Sequence, residues 1–265
     1  MMQAEINKTV LNYQLDGPSK ADTVMLSNSL MSDLGMWKYQ VPPLVEAGYR
    51  VLRYDNRGHG KSAASPAPYT LELLTADALA LMDHLGLEKV HFCGLSLGGM
   101  VGQVLGTFHD DRLLSLTLCA TASFMTITEA EWDERTQAAR TYGMDALADA
   151  VLDRWFTKAG QQRLAQDVAQ VRKSIVETSF KGLTGCVAAI RSMDLREAIS
   201  RISVETLIMV GTEDEGTPVS ASEFIHERIA TSSLTVIPDA AHLLNMERSE
   251  MFNERFISFL QKTKL

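Results

Sequence analysis

Three side chains far apart in the 265-residue chain have the types and the order needed to split an ester. Ser96 stands in Gly94-Leu95-Ser96-Leu97-Gly98, directly after the apolar run Val90-His91-Phe92-Cys93 and before the small-residue stretch 99–107. An apolar run, a G-x-S-x-G turn and a helical stretch read as strand, sharp turn and helix, the context of a nucleophile elbow. Such a turn holds its serine at strained backbone angles, so the positions two residues to either side must carry almost no side chain. Gly94 and Gly98 meet that condition. The strain turns the hydroxyl away from the sheet, and the following helix aims its unpaired N–H groups at whatever the serine attacks.

A serine hydroxyl at its ordinary pKa is a poor nucleophile. It needs a base, and the base needs an acid to orient it. The elbow alone also fits a Gly/Ser turn in a dinucleotide-binding fold, so the partners decide. The expected chain order is serine, acid, histidine. Asp214 follows the apolar run 207–211, in Thr212-Glu213-Asp214-Glu215-Gly216-Thr217-Pro218, just past a strand end. Glu213 and Glu215 are rivals in the same acidic loop, and the G-x-x-D-x-x-T-P spacing favours Asp214. His242 lies in Pro238-Asp239-Ala240-Ala241-His242-Leu243, after the strand-like run 234–237 and before the last helix, 247–260. The other five histidines are placed differently. His84 and His226 fall in helical patterns, His91 in the strand feeding the elbow, His109 after the elbow helix and His59 in a Gly-rich turn. They read as surface or core histidines.

The oxyanion formed by serine attack requires two backbone N–H donors. One is expected from Leu97, the residue after the nucleophile, and the other from the loop Asn28-Ser29-Leu30-Met31-Ser32. Many elbow enzymes carry His-Gly-x there. Asn28-Ser29 takes the His-Gly place in this chain, which leaves Leu30 as the donor. Losing one such donor costs on the order of 10²–10³ in rate.

These groups have to be carried by a sheet. Strand-like runs recur at 24–27, 50–54, 90–94, 114–119, 206–211 and 234–237, with amphipathic helical patterns between several of them. The clearest is 70–85, where Leu71, Leu74, Ala78, Leu81 and Leu85 keep a 3.6-residue period between a capping Thr70 and a terminating Gly86. The alternation predicts an α/β fold with a mostly parallel sheet covered on both faces, and 10–15 adds an antiparallel edge strand. From about 129 to 194 strand runs vanish and four helical patterns take over, at 129–142, 145–156, 161–178 and 182–193. The division predicted is a core of residues 1–122 and 198–265, with a helical lid at 123–197 over the carboxyl ends of the strands.

Composition narrows the classes. At 46% hydrophobic and 22% charged the chain is an ordinary globular one. A net charge of −8 argues against nucleic acid or an anionic membrane surface as partner. Cys93, Cys119 and Cys186 lack metal-ligand spacing and read as reduced, buried thiols. With no signal-like start and no apolar run of membrane-spanning length, a cytoplasmic location is expected. Homo-oligomer formation is compatible with all of this. Neither a metal nor a cofactor is expected: no G-x-G-x-x-G occurs, and Asp55-Asn56-Arg57-Gly58-His59-Gly60-Lys61-Ser62 lacks the phosphate-loop pattern. That segment reads as a structural turn whose Asp55 and Arg57 bond backbone near the elbow.

With these residues in view, the chain resembles the α/β-hydrolase superfamily over nearly its full length, and within it the 3-oxoadipate enol-lactonases of bacterial aromatic catabolism. The matches are Ser27-Asn28-Ser29-Leu30 through Met36-Trp37, Val51-Leu52-Arg53-Tyr54-Asp55 with Arg57-Gly58-His59-Gly60, and the run from His91 through the elbow to Gln103. In the lid they are Trp132 with Arg135, Arg154-Trp155-Phe156, and Ala189-Ile190-Arg191 with Met193-Asp194-Leu195. Met31, where glycine is expected, and Leu97, often methionine, depart from the pattern.

The resemblance implies hydrolysis of a five-membered enol-lactone bearing an acetate side chain, with a small anionic lactone as partner and no cofactor. In a chain of charge −8, a lid arginine would offset the field and select anions. Arg135 and Arg191 are the candidates, against a reading of both as solvated helix-surface arginines, and Trp132 and Trp155 either wall the pocket or, as the favoured reading has it, pack the lid. Competing expectations are a general carboxylesterase or perhydrolase, a C–C bond hydrolase on the same fold, and a hormone-type receptor that binds without turnover.

Overall fold

A computed structural model of the chain describes residues 2–125 and 127–263, the side chains of Glu129 and Arg135 excepted. Eight strands, β1 (Met2–Ile6), β2 (Thr9–Asp16), β3 (Thr23–Ser27), β4 (Arg50–Tyr54), β5 (Val90–Leu95), β6 (Leu113–Cys119), β7 (Thr206–Gly211) and β8 (Ser232–Ile237), form one sheet. Their order is β1-β2-β4-β3-β5-β6-β7-β8. Every pairing from β4 to β8 is parallel, and only β1–β2 and β2–β4 run antiparallel. All six residues of β5 and of β7 are buried, as central strands covered on both faces must be.

The core helices are α1 (Val41–Glu46), α2 (Leu71–His84) and α3 (Leu97–Phe108). Five more, α4 (Glu129–Tyr142), α5 (Asp145–Trp155), α6 (Lys158–Arg163), α7 (Ala165–Glu177) and α8 (Phe180–Arg191), stand between β6 and β7. Helices α9 (Val219–His226), α10 (Leu244–Glu247) and α11 (Ser249–Lys262) complete the chain. The Thr70 hydroxyl accepts from Leu73 N at 3.1 Å, so α2 starts where its periodic pattern does. At the base of the inserted helices the chain leaves and returns side by side, with Leu195 N donating to Ser123 O at 2.8 Å. This is the α/β-hydrolase fold with an inserted helical region. Among the described residues no helix is long and apolar enough to cross a membrane.

Three expectations needed correction. The antiparallel strand expected at 10–15 is β2, which is not the edge. That place belongs to β1, whose burial reaches only Ala4 fully and so leaves little apolar alternation to read. The helix expected over 161–178 is two helices, because Thr157 caps a first one through Gly160 N and the backbone breaks at Leu164. The last helix, expected from 247, starts at Ser249 after the single turn of α10 and a break at Arg248.

The turn at 55–62 is structural, but its two charged residues act differently. The Asp55 carboxylate accepts from Leu34 N at 2.7 Å, Lys61 N at 2.9 Å and Asn12 Nδ2 at 2.7 Å, as a backbone-bonding turn should. Arg57 bonds backbone too, through Nη2 to Asn7 O at 3.2 Å, and in addition spans to α2. Its Nε donates to Asp77 Oδ2 at 2.8 Å in a pair of which both members are buried. Removing one partner of such a pair strands the other charge, which costs about 3–5 kcal/mol. Asp77→Ala should lower the unfolding free energy in urea by about that amount. A loss below about 1 kcal/mol would show that the pair is hydrated rather than buried.

Candidate active site

Ser96 sits between β5 and α3 at φ +56° and ψ −114°, a conformation that costs an L-residue about 1–3 kcal/mol unless its surroundings hold it. They do so from both sides. Ser96 N donates to Cys119 O at 2.9 Å, and the Thr121 hydroxyl donates to Ser96 O at 2.8 Å. A Cβ at Gly94 would lie 2.0 Å from Gly98 O, and one at Gly98 would lie 2.2 Å from Ser27 O. The turn therefore closes only with glycine at both places.

The loop after β3 is fastened to this elbow. Asn28 O accepts from Gly98 N at 3.0 Å, while the Asn28 side chain accepts from Trp37 Nε1 at 3.0 Å and donates to Tyr54 O at 2.9 Å. With the second N–H of α3 thus engaged, Leu97 N is the first helix donor, with no acceptor within its own helix. Leu30 lines the same cavity as Ser96. Met31 has φ +59°, which explains why glycine is the expected residue there.

Asp214 and His242 are carried by the ends of β7 and β8, and the two loops are stitched together by Thr212 N to Ile237 O at 3.0 Å and Glu213 N to Ala240 O at 2.9 Å. Asp214 is buried, whereas its neighbours Glu213 and Glu215 are exposed. Its Oδ1 accepts from Gly216 N at 2.9 Å and Thr217 N at 3.0 Å, and its Oδ2 from the Thr217 hydroxyl at 2.8 Å. His242 Nδ1 lies 2.9 Å from the same Oδ2. Burial opposes the carboxylate charge, but the attraction of His242 and the donors around it prevail, holding Asp214 below its ordinary pKa. The Trp155 ring is stacked on the imidazole at 6.0 Å. By contrast, His59 is fully buried without a carboxylate, and burial pushes it down to about 4, so it stays neutral.

Ser96, Asp214 and His242 line one cavity of about 180 Å³, between the strand ends and the inserted helices. Its walls are largely apolar, with Met100, Met125, Val151, Leu183 and Ile190 among them. Trp132 and Trp155 both line it. Arg191 does not. It pairs with Asp133 at 2.7 Å over a separate surface hollow, so the expectation that it faces the site is corrected. The side chain of Arg135 lies outside the described residues. Among the described residues the arginine that lines the cavity is Arg154, on α5 next to Trp155. Its place in Arg154-Trp155-Phe156 was the available signal. A helical arginine in a lid looks like any solvated one until the helix phase is known.

Comparison with known proteins shows the family. The family described as "alpha/beta hydrolase fold" matches residues 22–249. The chain is 35% identical to 3-oxoadipate enol-lactonase 1 of Acinetobacter baylyi, over 95% of this chain and 93% of that protein. It is similar to the crystal structure of the enol-lactonase from Burkholderia xenovorans LB400, with a TM-score of 0.95 and 40% identity covering 98% of this chain and 100% of that one. A thermophilic esterase from Thermogutta terrifontis aligns with a TM-score of 0.93 at 26% identity, with both chains fully covered.

The depressed Asp214 carboxyl has a consequence for stability. A group whose pKa is lowered by folding stabilises the fold above its ordinary value, and that contribution is lost as pH falls through the lower, folded value. Thermal unfolding followed from pH 6 downward should show the wild type losing Tm below about pH 4 more steeply than Asp214→Asn. Parallel curves would contradict the assignment of that proton to Asp214.

Proposed function

The chain belongs to the α/β-hydrolase family, and on that footing we propose that it opens the ring of 3-oxoadipate enol-lactone to give 3-oxoadipate. The observation that carries this reading is the Asp214–His242 pair opening onto the same cavity as the strained Ser96. The identity of 35% to 40% with two enol-lactonases over nearly the whole chain supports the substrate.

In this reading Ser96 Oγ attacks the lactone carbonyl carbon while His242 Nε2 takes its proton, and the Asp214 carboxylate steadies the imidazolium through Nδ1–H. The N–H groups of Leu30 and Leu97 receive the oxyanion. Collapse breaks the ring C–O bond and expels an enolate, a better leaving group than an alkoxide, which takes up a proton and becomes the ketone. The product arm remains tethered through the acyl-enzyme. His242 then draws a proton from a water that attacks the ester carbon, and Ser96 leaves with that proton. The net reaction consumes one water and needs no electron carrier.

Arg154 is the group that meets the substrate carboxylate. It takes the role first sought in Arg135 and Arg191, on the ground that it lines the cavity with Ser96. A guanidinium in a largely apolar chamber gives a carboxylate a strong partner, and the overall charge of −8 makes that local cation the more necessary. The apolar walls also favour a second reading, a carboxylesterase acting on neutral esters.

Two measurements test the reading. Ser96→Ala should lower kcat on the enol-lactone by about 10⁶, and a variant keeping a tenth of the activity would remove Ser96 as nucleophile. Arg154→Leu should reduce kcat/KM for the anionic lactone by about 10²-fold and for p-nitrophenyl acetate by less than about threefold. Equal losses on both substrates would exclude Arg154 as the anion site. Wild-type preference for the neutral ester would favour the esterase.

A further inference from the structure

Glu247 carries a buried carboxylate that the chemistry above leaves unused. It is 1% exposed, at the end of α10, five residues after His242. Its Oε2 accepts from Ala241 N at 2.7 Å. Its Oε1 accepts from Thr157 N at 3.0 Å and from the Thr157 hydroxyl at 2.8 Å. The main-chain oxygen of Glu247 accepts from Arg163 Nη2 at 2.7 Å. A Cβ on Gly160 would lie 1.8 Å from Oε1, so the first turn of α6 keeps that volume for the carboxylate.

The two gripped segments are the ones that hold His242. Ala241 immediately precedes the histidine. Thr157 is two residues beyond Trp155, whose ring is stacked on the imidazole and whose carbonyl accepts from Leu243 N at 3.0 Å. The peptide N–H groups on both sides of His242 are thus bonded to acceptors outside their own loop. A closed circuit runs from Glu247 to Ala241, through His242 to Trp155, and through Thr157 back to Glu247.

We propose that Glu247 is a positioning residue, which uses the segment between α5 and α6 to hold the His242 imidazole in register with Asp214 and Ser96. The inference rests on His242 being the base. Its physical basis is that a buried acceptor with three donors cannot be lost without leaving unpaired N–H groups, so the circuit is rigid. A misplacement of about 1 Å at a reacting group can cost about 10² in rate. Glutamine in place of glutamate keeps the volume but gives one of the two gripped segments an amide donor facing a donor. The circuit then opens at Ala241 or at Thr157.

The test compares Glu247→Gln with Thr157→Val, which removes the hydroxyl donor to Glu247 together with the cap on Gly160 N, and with His242→Gln as reference. Each is assayed on p-nitrophenyl acetate and scaled to the folded fraction. Glu247→Gln should lower kcat by about 10- to 100-fold with KM changed by less than about threefold. Thr157→Val should do the same more weakly. Should Glu247→Gln fail to fold, Thr157→Val carries the comparison. A fall in Tm with wild-type kcat overturns the positioning role. Retention of activity by His242→Gln overturns the premise instead, so the two failures are told apart.

Discussion

The site depends on one backbone conformation, Ser96 at φ +56° where β5 becomes α3. Nothing local favours it, since a serine gains nothing from that region of backbone space and glycine would reach it more easily. It persists because bonds from Cys119 and Thr121 on one side fix the serine's peptide, while Ser27 and Asn28 on the other side lie against Gly98. The strain is thereby borne by three parallel strands and is spread through the most deeply buried part of the sheet. The result is a hydroxyl at the cavity shared with Asp214 and His242, with a helix N-terminus directly after it.

The acid and the base come from a second pair of strands, and their loops meet only because β7 and β8 are neighbours in register. The Thr217 hydroxyl and two peptide N–H groups fill the lone pairs of Asp214 that His242 leaves open. A buried carboxylate so saturated stays ionised and fixed, which is what an imidazole needs in order to present its other nitrogen to the cavity. The inserted helices do more than roof this arrangement. At the α5–α6 junction they supply the indole that covers the imidazole and the carbonyl that receives the next peptide N–H.

Much of this was legible in the residues. Central parallel strands advertise themselves as short unbroken apolar runs, and β3 to β8 are found close to where those runs lie. The elbow was legible because its two glycines have no alternative, and Asp214 because its spacing to Thr217 and Pro218 separates it from its acidic neighbours. Edge strand β1 was hidden, since only Ala4 on it is fully buried. Arg154 was hidden for another reason. Which of several lid arginines faces inward depends on helix phase against the core, and the pattern over α5 does not give that phase. The role of Glu247 was equally silent, because a glutamate at the start of an amphipathic helix reads as a solvated first-turn residue.

The claim on which the rest stands is that an ordinary hydroxyl at position 96 has been made nucleophilic by His242. The most direct measurement is labelling of the intact protein with a fluorophosphonate, followed by mass analysis of its peptides. The account predicts a single phosphonyl adduct on the peptide containing Ser96, and loss of that labelling in His242→Ala. An unlabelled wild type, an adduct on another serine, or undiminished labelling of the histidine variant would contradict it.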